Sequence, residues 1–355
     1  MKETMPYEKK LILENADVSE SDKKPIISII VPFYNASLTL DRLLESIRKQ
    51  TFPKFEVIGI DDGSVDDSSS VFKRFRERDP RFVLLRQDNK GQSAARSAGL
   101  KIARGNFVTF ADADDFVDAR WLSLLHTTIT KYNADISMCA FYNYSPENHR
   151  YYPSRFPSKN VVWDKKSAMS AWLTDEEFKS FLWNKLFKKT VLDRIDMSPD
   201  FNFMEDVYIN GQALQFAEVI ASCQEVGYYY VINPQSKMHS SFLDQDAKAF
   251  YFLTDFIKVA SNEQNLQDFG QIRTIKIAMA TVERMKKNDL PKNKKLIFEV
   301  YKQVKSLSPV AFNYFKGPTQ FFLFWIKLTG EVFLPLKLRR KIVVFRDYFV
   351  ARRIG

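Results

Sequence analysis

Two tight clusters of acidic side chains are the residues of this 355-residue chain best suited to chemistry. One is Asp61-Asp62-Gly63-Ser64, after the apolar run FEVIGI (55–60), and the other is Asp112-Ala113-Asp114-Asp115, just after FVTF (107–110). Taken singly, an Asp-Gly-Ser sequence reads as a turn and an Asp cluster as a turn or a helix cap. Two clusters, each where an apolar strand ends, favour a shared site instead. Carboxylates are hard oxygen ligands suited to Mg2+ or Mn2+, ions that take one or two of them and fill their shell with water and substrate phosphates. The substrate this combination suits is a nucleoside diphosphate. A calcium EF-hand is excluded, because the loop position that must be glycine, counted from Asp112, is Val117.

The elements that must position these carboxylates alternate in type. Apolar runs at 26–31, 55–60, 82–85 and 107–110 read as buried strands. Between them, 38–49, 68–78 and 93–103 read as helices, the first with Leu40, Leu43, Leu44 and Ile47 at helical spacing and Ser37 as its cap. This alternation predicts an α/β fold with a right-handed, doubly wound and mostly parallel central sheet flanked by helices. Ligands of such sheets bind beyond the carboxyl ends of the strands. Further on, helices are expected at 119–132 and 204–216 and strands at 135–142 and 226–232. Glu205-Asp206 falls in the first turn of the second helix, where carboxylates favour the positive end of the dipole. Beyond residue 244 the pattern is helical, with 247–260 and 271–287 as clear elements. The expected organisation is a flexible leader (1–24), an α/β domain (25–240) and a helical C-terminal region (241–355).

Six sequence blocks give these elements a family likeness. SIIVPFYNA (28–36), FEVIGIDDGSVDDS (55–68), DNKGQSAARSAGL (88–100), GNFVTFADADD (105–115), WNKLFKK (183–189) and MEDVYI (204–209) stand in the order and approximate spacing of the family 2 glycosyltransferases. Over 25–240 the chain resembles that family, which implies the GT-A fold, a nucleotide-sugar donor and Mn2+ or Mg2+ as cofactor. The resemblance implies that Pro32, Phe33 and Tyr34 line the base of a UDP-sugar and that Asp62 bonds its uracil. It likewise implies that Asn89 and Arg96 contact the nucleotide, that Asp112 and Ala113 lie at the ribose and that Asp114, with Asp112, holds the metal. His239 is a candidate third metal ligand. Asp206 is the implied general base, with Glu205 orienting its neighbours, and single displacement then inverts the anomeric centre. Trp183, Asn184 and Lys185 read either as floor of the acceptor site or as core.

The implied acceptor is a saccharide or lipid-linked saccharide of lipopolysaccharide, capsule, teichoic acid or exopolysaccharide. A polyprenyl phosphate acceptor is the alternative within the family. Nucleotidyl transfer on carboxylates alone is the rival enzyme class, since no GxxxxGK[ST], GxGxxG or GxSxG occurs. No nucleic-acid-binding motif accompanies the net charge of +10. That charge is concentrated: residues 291–355 hold 14 Lys/Arg against 3 Asp/Glu, together with 13 of the 51 aromatic residues. Its most apolar stretch, 321–336, is broken by Lys327, Glu331 and Pro335, so a spanning helix is not expected. The tail reads as an interfacial membrane segment, as a bundle packed on the catalytic domain or as a self-association surface. With only Cys139 and Cys223 and no apolar leader core, the expected location is a reducing cytoplasm, with peripheral attachment to the membrane's inner face. Deleting residues 335–355 should weaken co-sedimentation with anionic liposomes; unchanged sedimentation would count against the membrane reading.

Overall fold

An apolar run such as 26–31 offers water no face, so as a strand it must be covered on both sides. In the computed structural model of the chain it forms β2 (Ile27–Phe33), buried along its whole length beside the equally buried β3 (Phe55–Asp61). The structure describes residues 12–13, 24–232 and 244–323, less positions 155–156, 158, 198, 200, 202, 285–292, 318 and 321–322. Most of the leader and of the basic tail therefore lies outside the described residues. Two compact units divide the chain: 1–168 with 176–233, and 169–175 with 234–355.

The first unit is built on one mixed sheet. Its order is β1 (Ile12–Leu13), β4 (Phe82–Arg86), β3, β2, β5 (Phe107–Phe110), β10 (Lys185–Lys188), β7 (Ile136–Ser145), β11 (Val219–Val231) and β6 (Phe116–Val117). β8 (Arg150–Pro153) pairs with β7 and β9 (Val162–Asp164) with β11. As expected, β4, β3, β2 and β5 are parallel, and so are β7 and β11. β10 enters antiparallel between β5 and β7 and joins the two parallel groups.

Helices α1 (Leu40–Arg48), α2 (Ser68–Arg78), α3 (Gln92–Ile102) and α4 (Trp121–Lys131) follow the strands, and α1 buries Leu40, Leu43, Leu44 and Ile47. Ser37 does not cap α1: the N-cap is Thr39, and the Ser37 N–H donates to Asp66 Oδ2 at 3.1 Å. The unit continues through the first residues of α5 (Lys165–Thr174), then α6 (Lys189–Leu192) and α7 (Glu205–Phe216). The second unit is helical, with α8 (Asp244–Glu263), α9 (Gln267–Arg284), α10 (Lys294–Lys305) and α11 (Pro309–Tyr314). Ile272, Ile275, Val304, Leu307, Ala311 and Phe315 form a core there, and Arg284 pairs with the buried Asp246 at 3.0 Å. Among the described residues no helix is long and apolar enough to cross a membrane.

A polar knot at the amino ends of the parallel strands fixes their register. Glu56 is buried and accepts from Ser28 Oγ (2.6 Å), Arg104 N–H (2.7 Å) and Arg104 Nε (2.8 Å), while Gly105 N–H donates to Ser28 Oγ at 2.9 Å. A Cβ on Gly105 would lie 2.6 Å from Ser28 N and 2.8 Å from Ile27 C, both backbone atoms that cannot swing aside. Gly105→Ala should therefore cost about 1–3 kcal/mol, read as a lower urea midpoint; an unchanged midpoint would show that the strands yield at no cost.

Candidate active site

The strand register places the acidic clusters at one edge. Phe33 and Asp61 are register partners at the ends of β2 and β3, so Tyr34 and Asp62 leave the sheet side by side. Pro32 and Phe33 are buried, and the Phe33 ring stacks on Phe72 at 5.7 Å; Tyr34 stands 46% exposed. Loops on either side are tied together, Asn35 N–H donating to Ser64 Oγ (3.1 Å) and Val65 N–H to Asn35 Oδ1 (2.9 Å). Asp62 turns its carboxylate toward the segment after β4. It accepts from Gln87 Nε2 (2.7 Å), Lys90 N–H (2.9 Å) and Gly91 N–H (2.8 Å), three of the roughly four acceptor sites a carboxylate has. That grip sets the start of α3 and carries the exposed Asn89 past Gly63, whose φ of +80° and close approach to Asn89 N suit glycine alone.

Arg96, one turn into α3, is the centre of the site. Its side chain is 2% exposed, yet it reaches carboxylates on two other segments: Nη1 donates to Asp206 Oδ1 at 2.8 Å and lies 3.5 Å from Glu205 Oε1, and Nη2 donates to Asp112 Oδ1 at 3.2 Å. Gln92 Nε2 adds a bond to Asp112 Oδ1 at 3.0 Å. Arg96 Nε has no partner among the described residues. The three negative neighbours hold the Arg96 pKa above its ordinary value despite the opposing effect of burial. Asp206 is pushed up to about 7: burial raises it, Arg96 lowers it, and the charges of Glu205 and Asp112 raise it again. Asp114 is raised by burial and by the charge of Asp112.

Behind these groups stands a supporting layer that sequence reasoning left unassigned. Asp115 is fully buried and accepts from Tyr228 Oη and Val231 N–H, each at 2.8 Å, while Tyr228 Oη accepts from Asp112 N–H at 3.1 Å. Burial and the charges of Asp112 and Asp114 raise Asp115 well above the usual carboxylate range. The Asp112–Asp115 loop is thus latched to β11. Trp183, Asn184 and Lys185 are buried. Trp183 stacks on Tyr228 (4.4 Å) and on Phe181 (4.7 Å), and Lys185 Nζ donates to Lys179 O (2.6 Å) and Asn184 Oδ1 (3.0 Å). A buried tyrosine 113 residues from its carboxylate partner leaves no local pattern; the buried lysine was signalled only by its place in the WNK block.

The residues singled out from the sequence fall into three places. Asp112, Glu205, Asp206 and Arg96 meet directly, with Ala113 and Asp114 on the same short loop. Asp62, Asn89 and Tyr34 line the neighbouring strand ends. His239 lies outside the described residues. Among the described residues no group of three or more His, Cys, Asp or Glu could hold a metal by itself. The donor set still fits a hard divalent ion bound jointly with a diphosphate, for Asp112 and Asp114 are oxygen donors whose mutual repulsion raises Asp114.

Comparison with known proteins bears on the part of the chain that holds the site. The model of glycosyl transferase family 2 matches residues 28–196, which hold both acidic loops and Arg96. The chain carries a family 2 glycosyltransferase domain. Among similar proteins, the uncharacterized glycosyltransferase EpsJ of Bacillus subtilis is 31% identical over 217 residues, 60% of this chain and 62% of EpsJ. The match therefore spans less than two thirds of that relative. Residues 1–349 of S. aureus TarS, solved with UDP-GlcNAc, superpose with a TM-score of 0.65 at 19% identity, over 85% of this chain and 87% of that one. The mannosyltransferase PcManGT of Pyrobaculum calidifontis, solved with GDP-Man and Mn2+, gives 0.51 at 14%, over 87% and 88%. Both likenesses show that the chain shares their fold.

The raised Asp206 has a consequence for stability. A carboxyl whose folded pKa lies near 7 against about 3.9 unfolded binds its proton more tightly in the folded state, so its contribution is complete below pH ~4 and lost as pH rises through 7. Asp206→Asn removes that loss. The urea midpoint of the variant should gain on wild type between pH 5 and pH 8, and a pH-independent difference would refute the shift.

Proposed function

We propose that this protein is an inverting glycosyltransferase that uses Mn2+ or Mg2+ to move a sugar from a UDP-sugar to a hydroxyl of a cell-surface glycan, and that residues 25–240 are its catalytic domain. One observation carries the reading: a single buried guanidinium gathers the carboxylates of Asp112, Glu205 and Asp206 beside Asp114. Donor-side and acceptor-side carboxylates so joined are what a displacement needs, since charge departs on one side of the anomeric carbon while a proton departs on the other. The names of similar proteins support the substrate class. TarS is solved with UDP-GlcNAc, and a 26% identical relative is the poly(ribitol-phosphate) beta-glucosyltransferase of Bacillus spizizenii.

In this reading Tyr34 presents the exposed ring on which a base can lie, and Asp62 and Asn89 shape the loop around it. Asp114 and Asp112 are the residues that would hold the cation, which when bound supplies Lewis-acid neutralisation of the leaving diphosphate. His239 is a further candidate ligand. Asp206 accepts the acceptor hydroxyl's proton on Oδ1 or Oδ2. A quarter of its side chain is open to solvent, so an incoming hydroxyl can reach it, and a pKa near 7 suits a base working near neutrality. Arg96 holds that carboxylate in place, and Glu205 shares the guanidinium and orients the pair.

Asp206→Asn should lower kcat about 10²–10⁴-fold with UDP affinity nearly unchanged, and wild-type kcat/KM should rise with pH through about 7. Asp114→Ala should instead weaken Mn2+-dependent UDP binding in calorimetry. Full activity of either variant would refute the roles given. Incubation with a panel of UDP-sugars and saccharide acceptors should release UDP; pyrophosphate as product would mean nucleotidyl transfer.

A further inference from the structure

Five aromatic side chains beside the site take no part in the chemistry above. Phe116, Tyr229, Tyr142, Tyr144 and Tyr151 occupy four adjacent strands, β6, β11, β7 and β8, with Phe116 opposite Tyr229, Tyr229 beside Tyr142 and Tyr144 opposite Tyr151. Strand alternation puts all five on one face, while Tyr228 and Tyr230 point the other way and stack on Trp183. The rings form a continuous platform: Phe116 stacks on Tyr229 at 4.7 Å, and Tyr151 meets Tyr229 at 5.6 Å and Tyr144 at 5.0 Å. Tyr151 is 52% exposed and the other four are half-buried. Among the described residues the hydroxyls of Tyr142, Tyr151 and Tyr229 have no protein partner, whereas that of Tyr144 bonds His149 Nδ1 at 3.0 Å.

We propose that this face is a saccharide-binding subsite that holds the acceptor glycan next to the donor carboxylates, a proposal that rests on the glycosyltransferase reading. A pyranose ring has a face of polarised C–H bonds and a rim of hydroxyls. The negative face of an aromatic ring attracts the first, and tyrosine hydroxyls, donors and acceptors both, satisfy the second. Tyrosine also has few rotors, so ordering it on binding costs little. Of the charges at the rim, Arg120 pairs with Asp118 at 3.2 Å, Arg42 lies over Phe116 at 5.4 Å and donates to the Asp114 carbonyl, and Arg150 stands exposed beside Tyr151. The tyrosine hydroxyls, rather than these charges, suit the surface to a neutral polyol. The platform also begins at the right place. Phe116 is two residues beyond Asp114, at most about 7 Å along the backbone, and the Arg42 side chain touches both.

Saturation-transfer NMR on the full-length protein, with soluble tetrasaccharides of glucose, galactose, N-acetylglucosamine and mannose, tests the subsite. At least one should receive saturation at its ring C–H protons. Its Kd should be about 3- to 10-fold weaker in Tyr151→Ala and close to wild type in Tyr151→Phe, while calorimetry with Mn2+ finds the same UDP affinity in all three. Absence of transfer to every tetrasaccharide, or wild-type binding by Tyr151→Ala, overturns the subsite even where UDP binds. Failure to bind UDP overturns the donor assignment instead. Tyr151-dependent sedimentation with phosphatidylglycerol vesicles in place of saccharide binding assigns the face to a membrane and overturns the proposal.

Discussion

A guanidinium withdrawn from water must be met by negative charge on every side it can be, because an unpaired buried ion costs several kcal/mol. Arg96 is in that position, and its partners come from two segments besides its own helix: the loop after β5 and the first turn of α7. Much of the first unit's polar wiring serves to bring those three together. Asp62 fixes the start of α3 through Lys90 and Gly91, and Tyr228 and Asp115 latch the loop after β5 to β11. Asn210 ties the first turn of α7 to the segment before β10 by donating to Asp206 O at 2.8 Å and Ser180 O at 2.6 Å. Lys185 holds the same segment from below through Lys179 O.

Sharing one cation among carboxylates links their charge states. Asp112 and Asp206 each draw on Arg96 and each raises the proton affinity of Asp206, the first by its own charge and the second by its burial. Any positive charge placed against Asp112 weakens both its claim on Arg96 and its repulsion of Asp206, and both effects lower the Asp206 pKa. Electrostatics alone therefore couples the loop after β5 to the carboxylate of Asp206. A carboxylate near pKa 7 sits where modest changes of this kind shift its protonation most.

The parts of this architecture that were legible in the sequence are those with a local signature. β2, β3, β4 and β5 and helices α1 to α3 were readable because continuous apolar runs and helical spacing arise from burial within each element. β10 was not read as a strand: KLFK is four residues long, and it is strand only because β5 and β7 present edges to it on both sides. β6, β8 and β9, of two to four residues, were equally hidden, each being strand only through the one neighbour it pairs with. At the site, the acidic clusters announced themselves by type and spacing. The meeting of Arg96 with Asp206 across 110 residues, and the turning of Asp62 toward Gly91, are long-range facts that no window on the chain contains.

The tyrosine run at the end of β11 shows why such facts escape a local reading. Three consecutive tyrosines specify neither which ring reaches Asp115 nor which joins the outer platform, since a one-residue slip exchanges the two faces. The choice is made upstream, where β11 shifts register against β7 between Ser222 and Val226 and again between Val226 and Tyr228. Those irregularities set Tyr228 on the inner face, with its hydroxyl within reach of both Asp115 and the Asp112 amide, and leave Tyr229 to stack on Phe116 outside. Gly227 permits this alignment, because a Cβ there would lie 2.9 Å from both Cys139 Sγ and the Trp121 ring. The position of the carboxylate loop thus depends on a strand irregularity several residues away, and the same irregularity decides which aromatic rings are left to form the outer platform.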